Sequence, residues 1–205
     1  YSDGTFRVAG TDRTMSLFEV AKAANDPANL PGDMEPGLDT SVSHTPDAAT
    51  FPNGCHICEI EIDPETGIPE IKRYTVVDDF GDTINPLLIE GQVHGGIVQG
   101  VGQALHEHTI YDEESGQLVS GSFMDYRMPR ADDVPEFSFS MRNEKCTTNP
   151  LGIKGTGEAG AIGAPPSAIS AIVDALSNDS GFPDVDMPAT PDVIWALANR
   201  PLAAE

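Results

Sequence analysis

Glu158 is the residue in this chain best placed to do chemistry. It follows a lysine and three closely spaced glycines in Asn149-Pro150-Leu151-Gly152-Ile153-Lys154-Gly155-Thr156-Gly157-Glu158. Glycine lets a backbone take left-handed angles and come close to a ligand. A carboxylate held there can act as a general base once burial and neighbours tune it. Thr147, Thr148 and Asn149 add hydroxyl and amide groups suited to a polar ligand. The segment is not a phosphate-binding P-loop, because the G-K-[ST] step and its upstream glycine are missing. Most carboxylates are simply solvated, so the residue types alone also allow an exposed charge or a helix N-terminal carboxylate.

A second glycine-rich stretch runs from Gly91 to Gly102 and includes Gly95, Gly96, Gln99 and Gly100. It reads as a loop at a helix start, where free N–H groups and partial positive charge attract anions. Its spacing is not the dinucleotide fingerprint. Close helix–helix packing through glycine explains the composition equally well. The Gln99 amide carries both donors and an acceptor, which suits the edge of a heterocycle.

The elements that must position these residues follow from pattern. Ser16 and Glu19 form a capping box within a helical segment over residues 13–24. Residues 25–53, rich in Pro, Gly, Asp and Thr, read as a long irregular connection. Cys55 to Ile62 alternates, and the turn-forming run Asp63–Pro69 joins it to a strand over 70–78. Gly81 to Pro86 reads as a turn, and residues 94–108 as a helix with an apolar side of Ile97, Val98, Val101, Ala104 and Leu105. A further turn lies at Asp112–Gly116, and residues 136–142 alternate as a strand. A helix is expected from Pro165 or Pro166, and a last short one from Thr190 with Pro191 in its first turn. Hairpins mixed with helices, rather than strict βαβ alternation, indicate an α+β fold.

The 205 residues carry a formal charge of −22, which argues against nucleic acid or an anionic membrane surface as partner. No run of about 18 apolar residues is evident, so no membrane span is expected. The N-terminus lacks the basic-then-apolar pattern of a signal peptide, and it lacks an initiator methionine. The chain therefore reads as beginning inside a longer gene product. Cys55-His56-Ile57-Cys58 has no second pair of zinc ligands, and the better reading is a half-buried strand carrying small thiols. Three cysteines without a secretory signal fit a reducing cytoplasm.

The ordered motifs resemble one family. They include Phe51-Pro52-Asn53-Gly54, Asp63-Pro64-Glu65-Thr66-Gly67, Asn85-Pro86 and Glu90-Gly91-Gln92-Val93-His94-Gly95-Gly96. They continue with Gln99-Gly100-Val101-Gly102-Gln103-Ala104-Leu105, Asp125-Tyr126, Pro129-Arg130-Ala131 and Thr148 to Glu158. From about Phe51 to Leu197 the chain resembles the C-terminal part of the molybdenum-binding large subunit of the xanthine oxidase family of molybdenum hydroxylases. It looks most similar to the aerobic carbon monoxide dehydrogenase-like branch, and residues 1–24 look like the preceding segment of such subunits. The resemblance implies a lead-in over residues 1–50 and a molybdopterin-binding C-terminal domain over 51–205. It implies that Glu158 stands beside molybdenum as the base during oxygen transfer to an electron-poor carbon. It places Gln99 against the molybdopterin, with Gly95, Gly96, Gly100, Thr148, Asn149, Lys154, Gly155, Thr156 and Gly157 lining the cofactor. No residue is expected to ligate the metal directly.

The cofactor implied is molybdenum–molybdopterin, in the cytosine dinucleotide form usual in bacterial members. FAD and [2Fe–2S] clusters are implied on partner chains, because this chain has no cysteine set for a cluster. Such subunits are several times longer, so an upstream part of the large subunit is also implied as partner, supplying most of the pocket for a small-molecule substrate (an aldehyde, a heterocycle or carbon monoxide). The competing reading is a non-catalytic fragment or interaction subunit that keeps the fold and holds no cofactor.

Overall fold

The computed structural model describes residues 1–46, 48–178 and 181–199, which gather into two compact units, Tyr1–Thr45 and Pro46–Glu205. Residues 200–205, the end of the expected 51–205 region, lie outside the described residues.

In the first unit, β1 (Thr5–Arg7) pairs antiparallel with β2 (Thr14–Ser16), which leads directly into α1 (Leu17–Ala24). The capping box forms as expected: Ser16 N–H donates to Glu19 Oε2 at 2.8 Å and Glu19 N–H donates to Ser16 Oγ at 3.3 Å. The helix starts later than residue 13 because residues 14–16 are used as a strand. Apart from a 3-10 turn at Pro27–Asn29, the described residues of the connection up to residue 52 are irregular.

The second unit is built on a three-stranded sheet of order β3-β4-β5. β3 (Asn53–Ile62) and β4 (Pro69–Asp79) form the expected antiparallel hairpin. Its turn is tied by Asp63, whose carboxylate accepts from Glu65 N–H at 2.9 Å and Thr66 Oγ1 at 2.8 Å. β5 (Phe137–Met141) adds in parallel to β4. The alternation in β3 turns His56, Cys58, Ile60 and Ile62 inward and leaves Cys55 exposed, so the two thiols of the C-x-x-C point to opposite faces of a strand. Burial, with the Glu59 charge adding to it, pushes the Cys58 thiol up to about 12.

α2 (Pro86–Leu105) and α3 (Ala159–Leu176) cover the sheet. α2 lies over β5, where His94 meets Phe137 and Phe139 edge-on. α3 lies over β3, with Gly163 against the His56 ring. Tyr74 and Val76 from the sheet, Phe80 just past the end of β4, Val93, Ile97 and Val101 from α2, and Ala164, Ala168 and Ile172 from α3 are fully or almost fully buried together. α4 (Pro191–Ala198) contributes Ile194 to the same core.

Two further helix starts differ from expectation. α2 begins eight residues before His94, because Asn85 Oδ1 accepts from Leu87 N–H at 3.2 Å and Pro86 occupies the first turn. That pair is a helix start that resembles a turn in sequence. The stretch Gly91–Gly102 is therefore helix interior, not a loop. α3 begins at Ala159, six residues before Pro165, and both Pro165 and Pro166 sit inside it. Proline removes a helical donor, and packing against α2 and β3 overrides that local cost. α3 is also long and apolar enough to cross a membrane by length and composition, contrary to the expectation of no such run. It packs on α2 and β3 within the second unit.

Candidate active site

The loop before α3 is anchored at the end of β4. Gly81 has φ 66° and Gly152 φ 68°, left-handed values that glycine takes without strain. A Cβ on Gly81 would lie 2.1 Å from Gly152 O, so no other residue fits against the loop here. Gly81 and Ile153 form an antiparallel bridge. Asp82 N–H donates to Gly152 O at 2.9 Å, and Lys154 N–H to Phe80 O at 2.9 Å.

Beneath this crossing sits Asp79. Its Oδ1 accepts from Gly81 N–H at 2.9 Å and Glu144 N–H at 3.0 Å. Its Oδ2 accepts from Asn53 Nδ2 at 3.3 Å and is ion-paired with Lys154 Nζ, both side chains being about nine-tenths buried. Burial acts to raise the Asp79 carboxyl, but the donors from Glu144, Lys154 and Gly81 outweigh it and hold it down at about 2. Asp79 is thus an ionised, fully hydrogen-bonded hub.

Past Lys154 the support ends. Cβ atoms on Gly155 or Gly157 would meet nothing within 4 Å. Glu158 follows at the N-cap of α3, exposed, with φ −115° and ψ −7°, and its side chain makes no capping hydrogen bond. Its carbonyl accepts from Ile162 N–H at 3.0 Å and so opens the helix. Among the described residues the carboxylate itself has no hydrogen-bond or ion-pair partner.

The first turn of α3 is pressed against the middle of α2. A Cβ on Gly160 would come within 2.4 Å of Val93 O, and one on Gly96 within 2.9 Å of Ala161 N. One turn further on, Gly100 faces Ala164 and Pro165, so the two helices run side by side in the same direction. Behind α3, His56 Nδ1 lies 2.8 Å from Tyr74 Oη and Nε2 lies 3.5 Å from Asp78 Oδ1. The His56 ring fills the space where a Gly163 side chain would be. Desolvation raises the buried Tyr74 hydroxyl, which stays neutral.

The expected site residues fall into three groups. Glu158, Gly155, Gly157 and the half-buried Thr156 form the open end of the loop, and Gly95 and Gln99 lie on the exposed face of α2. Gln99 has no hydrogen-bond partner among the described residues. Gly96 and Gly100 are buried in the seam with α3, where they face the helix. Thr148, Asn149 and Lys154 are engaged within the protein. Thr148 Oγ1 is 3.1 Å from Cys146 Sγ. The Asn149 amide donates to Ile153 O at 2.9 Å and accepts from its N–H at 3.2 Å. Lys154 is held by Asp79. The Thr148 contacts, side chain first and then backbone, together with nearby Lys154, lower the Cys146 thiol. Asp79 was not among the expected residues. Two consecutive carboxylates ahead of a glycine at a strand end were the available signal.

Comparison with known proteins identifies the family of the chain. The model of the molybdopterin cofactor-binding domain matches residues 1–135. The gamma subunit of the 6-hydroxypseudooxynicotine dehydrogenase complex of Paenarthrobacter nicotinovorans is 41% identical over 195 residues, 94% of this chain and 24% of that protein. The carbon monoxide dehydrogenase large chain of Hydrogenophaga pseudoflava is 33% identical over 192 residues, 93% of this chain and 23% of its own length. The crystal structure of quinoline 2-oxidoreductase from Pseudomonas putida 86 superposes with a TM-score of 0.87 at 35% identity, covering 97% of this chain and 25% of that one. The chain therefore spans about a quarter of the length of these relatives. With a family model matching well over half of its residues and the same fold in a solved relative, the chain belongs to the molybdopterin cofactor-binding domain family of the molybdenum hydroxylases.

Proposed function

We propose that this chain supplies the catalytic base and part of the cofactor surface of a molybdenum-dependent hydroxylase or dehydrogenase, with residues 51–205 as its cofactor-binding part. The observation that carries this reading is Glu158: an exposed carboxylate with no hydrogen-bond or ion-pair partner among the described residues, close to two glycines whose surroundings are open. The polar atoms left free here, the Glu158 carboxylate and the Gln99 amide, suit a cofactor that offers both donors and acceptors. Gln99 would hold the pterin edge, and Gly95, Gly155, Thr156 and Gly157 would let the cofactor approach the backbone. When bound, the molybdenum centre supplies the redox chemistry and makes an oxygen-bound proton acidic enough to remove near neutrality.

Glu158 would accept a proton on a carboxylate oxygen, which requires heavy-atom contact of roughly 2.6–3.2 Å. The loop glycines keep the approach to Glu158 free of side chains. The substrate class is an aldehyde, an electron-poor heterocycle or carbon monoxide. The names of the relatives, which include a quinoline oxidoreductase and a carbon monoxide dehydrogenase, support that range. The cytosine dinucleotide form of the cofactor, an upstream large-subunit segment, and flavin and iron–sulfur partners complete the proposed assembly. Consistent with electrons leaving through partners, the three cysteines here are spread over β3 and the 146 loop.

The test is Glu158→Gln in the assembled enzyme. Turnover should fall by roughly 10²–10⁴-fold, the usual contribution of a general base, with molybdenum content unchanged. Wild-type-like turnover would remove the base assignment.

A further inference from the structure

We infer that Asp79 is the positioning residue of the Glu158 loop, acting through its buried ion pair with Lys154. This inference rests on the assignment of Glu158 as base. One carboxylate receives donors from four separate segments: Asn53 at the start of β3, Gly81 after β4, Glu144 after β5, and Lys154 in the loop. Among the described residues, Lys154 is the last of the loop with a hydrogen-bond or ion-pair partner before Glu158. Between them, a Cβ on Gly155 or Gly157 would meet nothing within 4 Å, and among the described residues Thr156 makes no hydrogen bond. Four residues of chain can span at most roughly 14 Å. The reach of Glu158 is therefore limited on one side by Lys154 and on the other by the first turn of α3, which is seated on α2 at Gly96 and Gly160.

The same geometry reassigns Lys154. Its ammonium is neutralised by Asp79 and turned towards the end of β4, so it secures the loop from below rather than presenting a positive charge to the cofactor. The Asp79 carboxyl, held down at about 2, is ionised near neutral pH, which keeps the pair intact.

Asp79→Asn is nearly isosteric but sets an amide donor against the Lys154 ammonium. The variants to compare, in the complete enzyme that contains this chain, are Asp79→Asn, Lys154→Met, Lys154→Arg and the double variant Asp79→Asn/Lys154→Met. Hydrogen exchange of the Gly81, Glu144 and Lys154 amides should quicken roughly tenfold or more in Asp79→Asn, with the α2 and α3 core amides unchanged. Molybdenum content should stay at the wild-type level. kcat should fall roughly 10–100-fold with KM little changed, the signature of a misplaced catalytic group.

Lys154→Arg should keep most of the rate. The double variant should be no worse than its more impaired single parent, because both substitutions break one interaction. Unchanged exchange with unchanged kcat overturns the inference, and so does loss of molybdenum in proportion to loss of rate. If Asp79→Asn does not fold, Lys154→Met carries the same readouts. The two readings separate by measurement: the base assignment fails on the turnover of Glu158→Gln, the positioning role on the amide exchange of Asp79→Asn.

Discussion

Two stretches of this chain are rich in glycine and use it in opposite ways. In Gly91–Gly102 the backbone is helical, and Gly96 and Gly100 remove side chains so that α3 can lie against α2. In Gly152–Gly157 the chain is irregular. There Gly152 takes a left-handed turn, while Gly155 and Gly157 face open space ahead of Glu158. Gly96 and Gly100 serve contact between helices, whereas Gly155 and Gly157 leave clearance ahead of a carboxylate. A glycine's role is therefore read from what a Cβ would meet, not from how many glycines lie nearby.

The largest expected effect that tests this contrast is on the fold. Gly96→Val drives a branched side chain into the backbone of α3 at Ala161 and Gly160, which cannot step aside as a flexible side chain can. We expect a loss of about 3 kcal/mol, at the upper end of overpacking costs, measured by chemical denaturation. A stable variant would show that the seam is loose. An intermediate effect is expected at Gln99, on the exposed face of the same helix. Gln99→Ala should leave the melting temperature unchanged and weaken cofactor retention by about 1 kcal/mol, the scale of one hydrogen bond. Molybdenum content after dialysis reads this, and full retention together with a normal rate would count against the amide contact. The smallest effect is expected at Gly155→Ala, which meets nothing and has no left-handed φ to strain. Its stability should change by less than about 0.5 kcal/mol, and stiffening of the unfolded chain makes a slight gain possible. A loss comparable to that of Gly96→Val would erase the distinction between the two stretches.

Much of the fold was legible where pattern and local chemistry agreed. The Ser16–Glu19 capping box, the Asp63–Gly67 hairpin turn and the alternation of β3 and β5 all form as their residues indicate. The two main helices were legible in type but not in extent. Asn85-Pro86 signals a helix start and a turn with the same residues. Pro165-Pro166 signals a start, yet sits mid-helix because both flanks of α3 are packed. In the candidate site, the loop ending in Glu158 stood out from its glycines and lysine. The roles of its neighbours did not. Asn149, Thr148 and Lys154 are polar groups available to a ligand in sequence, whereas the fold engages them with Ile153, Cys146 and Asp79. Such pairings join residues far apart in the chain, such as Asp79 and Lys154, and no local pattern encodes them.

The start of α3 has a thermodynamic consequence. A helix of this length usually begins with a short polar side chain that folds back onto the first free N–H groups, and losing such a cap costs about 1 kcal/mol. Glu158 occupies that place and leaves those donors uncapped. Against a total folding margin of about 5–15 kcal/mol, this is a sizeable sacrifice at a single position. Selection for folding alone would favour serine, threonine, asparagine or aspartate there. The Glu158 side chain, which has no hydrogen-bond or ion-pair partner among the described residues, brings no stabilising contact that would offset this cost.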